Sequence, residues 1–197
     1  MNEALEKLKI IFDRHEGFYF IRHPIFISNN IDSPSIYIVS RYFGSIVMDV
    51  FDFNIDNINN IIDTKWYFGN WNQAEIEIFE EGIDKLYALQ SKIVAIRDLR
   101  KFSEKDNRLK GKYVLYLPRI SRSLWEDNFG DMFKNEIVFY NELEEYYKSL
   151  ISENKYVIPE NIWNNFIRLL SGTHNLVKQI RKAENDNLKA GILRKVE

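Results

Sequence analysis

The chain of 197 residues predicts a mixed α/β fold, a central mixed sheet flanked by helices. Three observations carry that reading. Two neighbouring runs, Ser35–Ser40 and Ser45–Asp52, are β-branched and aromatic and flank a turn through Phe43-Gly44. That is the pattern of adjacent buried strands. A long amphipathic stretch over 73–98 follows them. The next apolar run, Lys112–Leu117, stops at Pro118, as expected of a strand reached by a helical crossover into the same sheet.

The elements read in order as follows. Leu5, Leu8, Ile11 and Phe12 recur at helical spacing, predicting a helix over 3–15 that stops near Gly17. Phe18–Ile21 and Ile25–Ile27 are strand-like and separated by His23-Pro24, and Asn29–Pro34 is a turn cluster. After the strand pair, Asn54–Asn60 reads as loop. Trp66, Phe68 and Trp71 mark a short strand or an aromatic-packed turn. Over 73–98, Ile76, Phe79, Ile83, Leu86, Ile93 and Ile96 form the apolar face, with Glu75, Glu80, Glu81, Lys85 and Lys92 assigned elsewhere on the helix. Gly82 inside that helix costs about 1 kcal/mol relative to alanine, which a close helix–sheet contact would explain. Glu136–Tyr140 is a further short strand. Asn141 opens a helix with Glu144 three residues on, in the manner of a capping box. From Pro159, Ile162, Phe166, Leu169 and Leu170 predict a last helix broken at Gly172. The expected division is a domain over 1–150 and a helical extension over 151–197, whose final part from Thr173 carries six basic residues against three acidic ones.

Composition excludes several classes. Hydrophobic residues make up 45% and aromatics 15%, which is globular rather than disordered. A net charge of −2 argues against a wholly basic nucleic-acid-binding module but allows a local basic face. The absence of cysteine removes disulfides, thiolate zinc sites and cysteine nucleophiles. No apolar run is long enough for a membrane span, and the acidic N-terminus is unlike a signal peptide. A cytoplasmic location without membrane contact is therefore expected. The phosphate-binding pattern G-x-x-x-x-G-K-[ST] is missing, so ATP binding in that manner is not expected. His15, His23 and His174 share no ligand spacing and read as surface or helix-end residues. No G-x-S-x-G elbow supports a serine nucleophile.

The element order resembles the nuclease-like N-terminal region of bacterial superfamily 1 (UvrD/Rep-like) helicases, related to the nuclease-related domain and the restriction-endonuclease fold. The matching parts are the first helix, the hairpin 36–53, Lys65-Trp66, the helix 73–98, Tyr113–Pro118, Glu136–Leu143 and Trp163–Gly172. Leu193–Glu197 is similar to the stretch just before the helicase nucleotide-binding motifs; if the chain comes from a helicase, the motor is expected beyond Glu197. The resemblance implies a first acid at the head of one strand and Glu-x-Lys in the next. Those positions hold Ser35, Asp49 and Phe51. A metal-dependent nuclease needs at least two carboxylates for Mg²⁺ and gains from a lysine near the attacked phosphate. The resemblance thus implies a degenerate, non-catalytic domain in DNA repair or phage defence, with no cofactor of its own. Its expected partners are DNA and a helicase motor or another protein. One alternative is an active Mg²⁺-dependent nuclease with a rearranged site of Asp32, Asp49 and Lys65. The other is a protein-interaction subunit of a larger assembly. Arg97, Arg100, Lys101, Arg119 and Arg122 lie near strand and helix ends and are candidate phosphate contacts, though ordinary ion-paired surface explains them too.

Overall fold

The computed structural model describes residues 2–12, 18–20, 36–69 and 74–172. Helix α1 (Asn2–Phe12) leads into strand β1 (Phe18–Phe20), β2 (Ile36–Ser40) and β3 (Gly44–Val50). These three strands pair antiparallel, with Ile36 opposite Met48 and Ser40 opposite Gly44. Gly44 has φ +81°, and a Cβ there would lie 2.0 Å from the carbonyl oxygen of Arg108. Only glycine fits such a turn. Beyond β3 comes a separate antiparallel sheet of β4 (Ile58–Ile62), β5 (Lys65–Phe68) and β6 (Ala74–Ile76). Helices α2 (Ile78–Ala95) and α3 (Arg97–Ser103) then return the chain to β7 (Lys112–Leu117), which lies parallel to β3 with Ile46 opposite Lys112. After α4 (Arg122–Phe129), strand β8 (Ile137–Phe139) pairs parallel to β7. Helices α5 (Leu143–Ser152) and α6 (Glu160–Leu170) complete the described chain. The main sheet has the order β1-β2-β3-β7-β8 and is mixed, in line with the expected fold class.

Period-two alternation sends β3 side chains to two cores. Ile46 and Met48 face a core shared with Leu8 and Ile11 of α1 and with Leu143, Tyr147 and Leu150 of α5. Val47, with Tyr37 and Val39, faces a core built by α2, α3 and α6. A third, aromatic-rich core joins the small sheet to the ends of β7 and β8, with the Trp66 and Trp125 rings 5.2 Å apart and Phe79 and Phe133 4.5 Å apart. Ile158, Ile162, Phe166 and Leu170 share a core with Tyr37, Val47 and Leu89, so α6 packs on the sheet itself. The chain before α6 is pinned there too: Ile158 N–H donates to the Arg41 carbonyl at 2.8 Å. Of the expected extension, 173–197 lies outside the described residues, as do the strand expected at 25–27 and the turn at 29–34. Among the described residues no helix is long and apolar enough to cross a membrane.

Four local expectations are corrected. The loop expected over Asn54–Asn60 contains a short 3₁₀ turn (Ile55–Asn57), and β4 starts at Ile58. The single helix expected over 73–98 is instead β6, α2 and α3. Glu77 (φ −96°, ψ 70°) is non-helical, and Ile96 (φ −103°, ψ 115°) is extended. Pairing of β6 with β5, Ile76 opposite Trp66, won over helical spacing because it puts Ile76 against the aromatic core. The Asn141 cap does not form. Glu142 precedes α5 and its carboxylate is taken up by Arg122. Helix α4 was missed, although Ser121 caps it by accepting from Leu124 N–H at 3.3 Å.

Gly82 has the explanation its cost suggested. A Cβ at that position would lie 2.4 Å from the Tyr113 ring, so glycine lets α2 close onto β7. Gly82→Ala is expected to lower stability by about 1–3 kcal/mol through overpacking, read in urea unfolding. Helix propensity alone predicts a gain of about 1 kcal/mol.

Candidate functional site

Asp49 stands near the end of β3 on the face that meets α2. It is 5% exposed. A lone carboxylate there would lose its hydration without compensation. Lys85 supplies the compensation: its Nζ lies 2.6 Å from Asp49 Oδ2 and it too is only 5% exposed. Tyr113 of β7 donates its hydroxyl to the same oxygen at 3.1 Å. Burial, then the charge of Asp49, pushes the Tyr113 phenol well above its usual range.

Lys85 is the buried charge that the sequence reading misplaces. It was assigned away from the apolar face, yet Ile78, Gly82, Lys85, Leu89 and Ile93 make one continuous buried stripe. Ile83, assigned to the core, is 44% exposed. The signal was available: a lysine at the centre of an i, i+3, i+4, i+7 stripe demands a buried counter-charge. Asp49 was the nearest acid on a buried strand.

Of the other positions of the expected nuclease site, Phe51 and Lys65 are described. Phe51 follows β3, its N–H donating to the Tyr116 carbonyl at 3.0 Å and its ring 5.5 Å from that of Phe53. An aromatic ring therefore occupies the place where the resembled pattern has lysine. Lys65 of β5 pairs with Glu75 at 2.5 Å and Glu77 at 3.3 Å, not with Asp49, and those two acids hold its ammonium well above its ordinary pKa. Ser35 and Asp32 lie outside the described residues. Phe51 and Lys65 do share an open hollow of about 730 Å³, walled by Glu77, Glu80, Glu81 and Asp84. The hydrogen bond from Glu80 holds Glu77 low, and the same bond, with the Glu77 charge, raises Glu80. This mouth is acidic and disfavours phosphate. Among the described residues no group of three metal-ligating side chains is drawn together.

The five candidate cations divide into two kinds. Arg119 grips Asp52, Nε to Oδ1 at 2.5 Å. Arg122 holds Glu142 through two bonds, at 2.6 and 2.8 Å, with its guanidinium 4.8 Å from the Phe139 ring centre. The carboxylate of Glu142 raises the Arg122 pKa. Arg97, Arg100 and Lys101 lie exposed on α3.

No protein-family model, curated protein or solved structure matches this chain. Fold and site define a mixed-sheet α/β protein whose most buried charges, among the described residues, belong to a carboxylate–ammonium–phenol cluster between β3, α2 and β7.

Removing one partner of a buried pair strands the other. Lys85→Met and Asp49→Leu are each expected to cost about 3–5 kcal/mol, and the double variant distinctly less than their sum. Urea unfolding of the four proteins reads this cycle; additive losses would show that the pair is not coupled. The buried phenols give a second test. Burial raises Tyr37 and Tyr113, and pushes Tyr146 up to about 12. The folded chain keeps these protons while the unfolded chain loses them near pH 10. Unfolding free energy should hold below about pH 9 and fall above about pH 10. Tyr113→Phe should lessen the fall, measured by urea melts at both pH values.

Proposed function

We propose that this chain is a non-catalytic, nuclease-like accessory domain of a bacterial helicase-type protein. It supports engagement of nucleic acid or of a partner, in DNA repair or phage defence. The observation that carries the reading is the state of Asp49. Its carboxylate is buried, ion-paired to Lys85 and bonded to Tyr113, so it acts as a structural anion. A catalytic Mg²⁺ site needs carboxylate oxygens open to the ion and to a phosphate. Phe51 in place of the lysine points the same way. The parent's motor and a cytoplasmic location belong to this proposal through the resemblance alone.

One observation favours a second reading. A lysine does stand beside the strand carboxylate, as it would in an active nuclease with its lysine supplied from α2. Burial of both groups weighs against that reading. Cleavage assays with Mg²⁺ and Mn²⁺ on single-stranded, duplex and nicked DNA decide between them. No cleavage above background is expected from the wild-type chain. Cleavage that disappears in Asp49→Asn, with the fold intact by circular dichroism, would overturn the proposal.

A further inference from the structure

Charge is segregated along β3. Residues 74–84 carry five acids and no lysine or arginine, and most of these acids wall the hollow beside Phe51. Residues 92–112 carry eight lysines or arginines against three acids. Helix α2 runs opposite to β3 and β7: Lys85 meets the end of β3, while Gln90 Nε2 donates to the carbonyl of Lys110, just before β7, at 3.1 Å. The acidic and basic regions therefore lie at opposite ends of the sheet, about 20 Å apart at ~3.3 Å per strand residue.

The basic end holds a cavity of about 350 Å³. Phe43, Ile46 and Leu150 give it an apolar floor, and Asn107, Lys110 and Lys112 stand on its rim. Arg108 also lines it but is occupied by Asp106 and by the carbonyls of Tyr42 and Tyr156. Glu153 is the one carboxylate in the lining, and Asn154, with Nδ2 given to the Leu150 carbonyl, keeps its Oδ1 as an acceptor. Lys110 and Lys112 form no ion pair among the described residues, and the same holds for Arg97, Arg100, Lys101 and Lys105. The 3₁₀ turn Asn107–Lys110 packs on both β3 and α3, so it links the cavity, on the α5 face of the sheet, to α3 on the other face at the same end.

A volume of this size with an apolar floor and a few polar groups suits a small flat body. Unpaired cations beside it suit phosphates. We propose that this end of the molecule binds single-stranded nucleic acid. Its phosphates lie along α3 and on Lys110 and Lys112, and one unstacked base enters the cavity. A base within a duplex is stacked and paired and cannot enter. An acidic peptide would meet the cations but lacks a flat group for the floor. This inference rests on nucleic acid being the partner in the proposed function, and it is independent of whether the chain cleaves.

Fluorescence anisotropy with a labelled thymidine strand of about 15 nucleotides, its duplex and polyglutamate as competitor provides the test. The single strand is expected to bind at least tenfold tighter than the duplex, with polyglutamate a poor competitor. With six cations engaged, log K against log salt should slope about −4. Lys110→Glu with Lys112→Glu should weaken binding at least tenfold. Asn107→Trp fills the cavity without altering charge and should bring the single strand down to duplex level. Each variant is checked by thermal melting. Equal binding of duplex, competition by polyglutamate at equal charge, or unchanged affinity in the folded double variant would each overturn the proposal. Absence of binding would overturn it and leave the non-catalytic reading standing; cleavage dependent on Asp49 would do the reverse.

Discussion

Asp49 and Lys85 meet, both buried, between strand β3 and helix α2, 2.6 Å apart. Much of the architecture answers to that contact. A carboxylate inside a helix–sheet interface requires a partner of opposite charge at one place on the helix. Lys85 fixes both the rotation of α2 and its position along β3. One turn earlier, Gly82 removes the side chain that would strike Tyr113, and Tyr113 then reaches Asp49 with its hydroxyl. Three elements are locked by one oxygen. The pair adds little stability over an apolar replacement, but it makes other settings of the helix costly. The same contact withdraws the carboxylate from solvent, which links the packing to the proposed loss of catalysis.

The ends of α2 carry the rest of the functional argument. Its first turns present Glu80 and Glu81 beside Phe51, where a nuclease of the resembled kind would receive phosphate. Its far end leads through Ile96 into α3 and the cationic turn. If the domain meets nucleic acid, the field directs it to the end of the sheet remote from Asp49. Arg119 and Arg122 do not contradict this, because their guanidinium groups are spent on Asp52 and Glu142. In this account the sheet is a scaffold whose hollow beside Asp49 is lined by an aromatic ring and rimmed with acid.

The main sheet was legible because β2, β3 and β7 are short apolar runs bounded by turn residues, and burial on both faces leaves such runs little alternative. Gly82 was legible as an anomaly, and Tyr113 explains it. The start of α2 was not legible. Ala74–Ile76 become a strand only because β5 offers a non-local edge, which helical spacing cannot reveal. Helix α4 is short and mostly polar, with Trp125 its one buried residue, so its period was weak. Lys85 was misread because lysine was assumed to seek solvent, although the periodicity itself put it on the buried stripe. Sorting the arginines required geometry: Arg119, Arg122 and Arg100 look alike in sequence and differ in whether an acid from another element reaches them.

The central claim is that Asp49 is a structural anion and not a metal ligand. Unfolding free energy measured in EDTA and in Mg²⁺ tests it most directly. A site with a Kd of about 0.1 mM would add about 2.7 kcal/mol at a hundredfold excess of the ion. The account predicts no gain that depends on Asp49, so wild type and Asp49→Asn should respond to Mg²⁺ alike. A Mg²⁺-dependent gain of that size in the wild type, lost in Asp49→Asn, would contradict it.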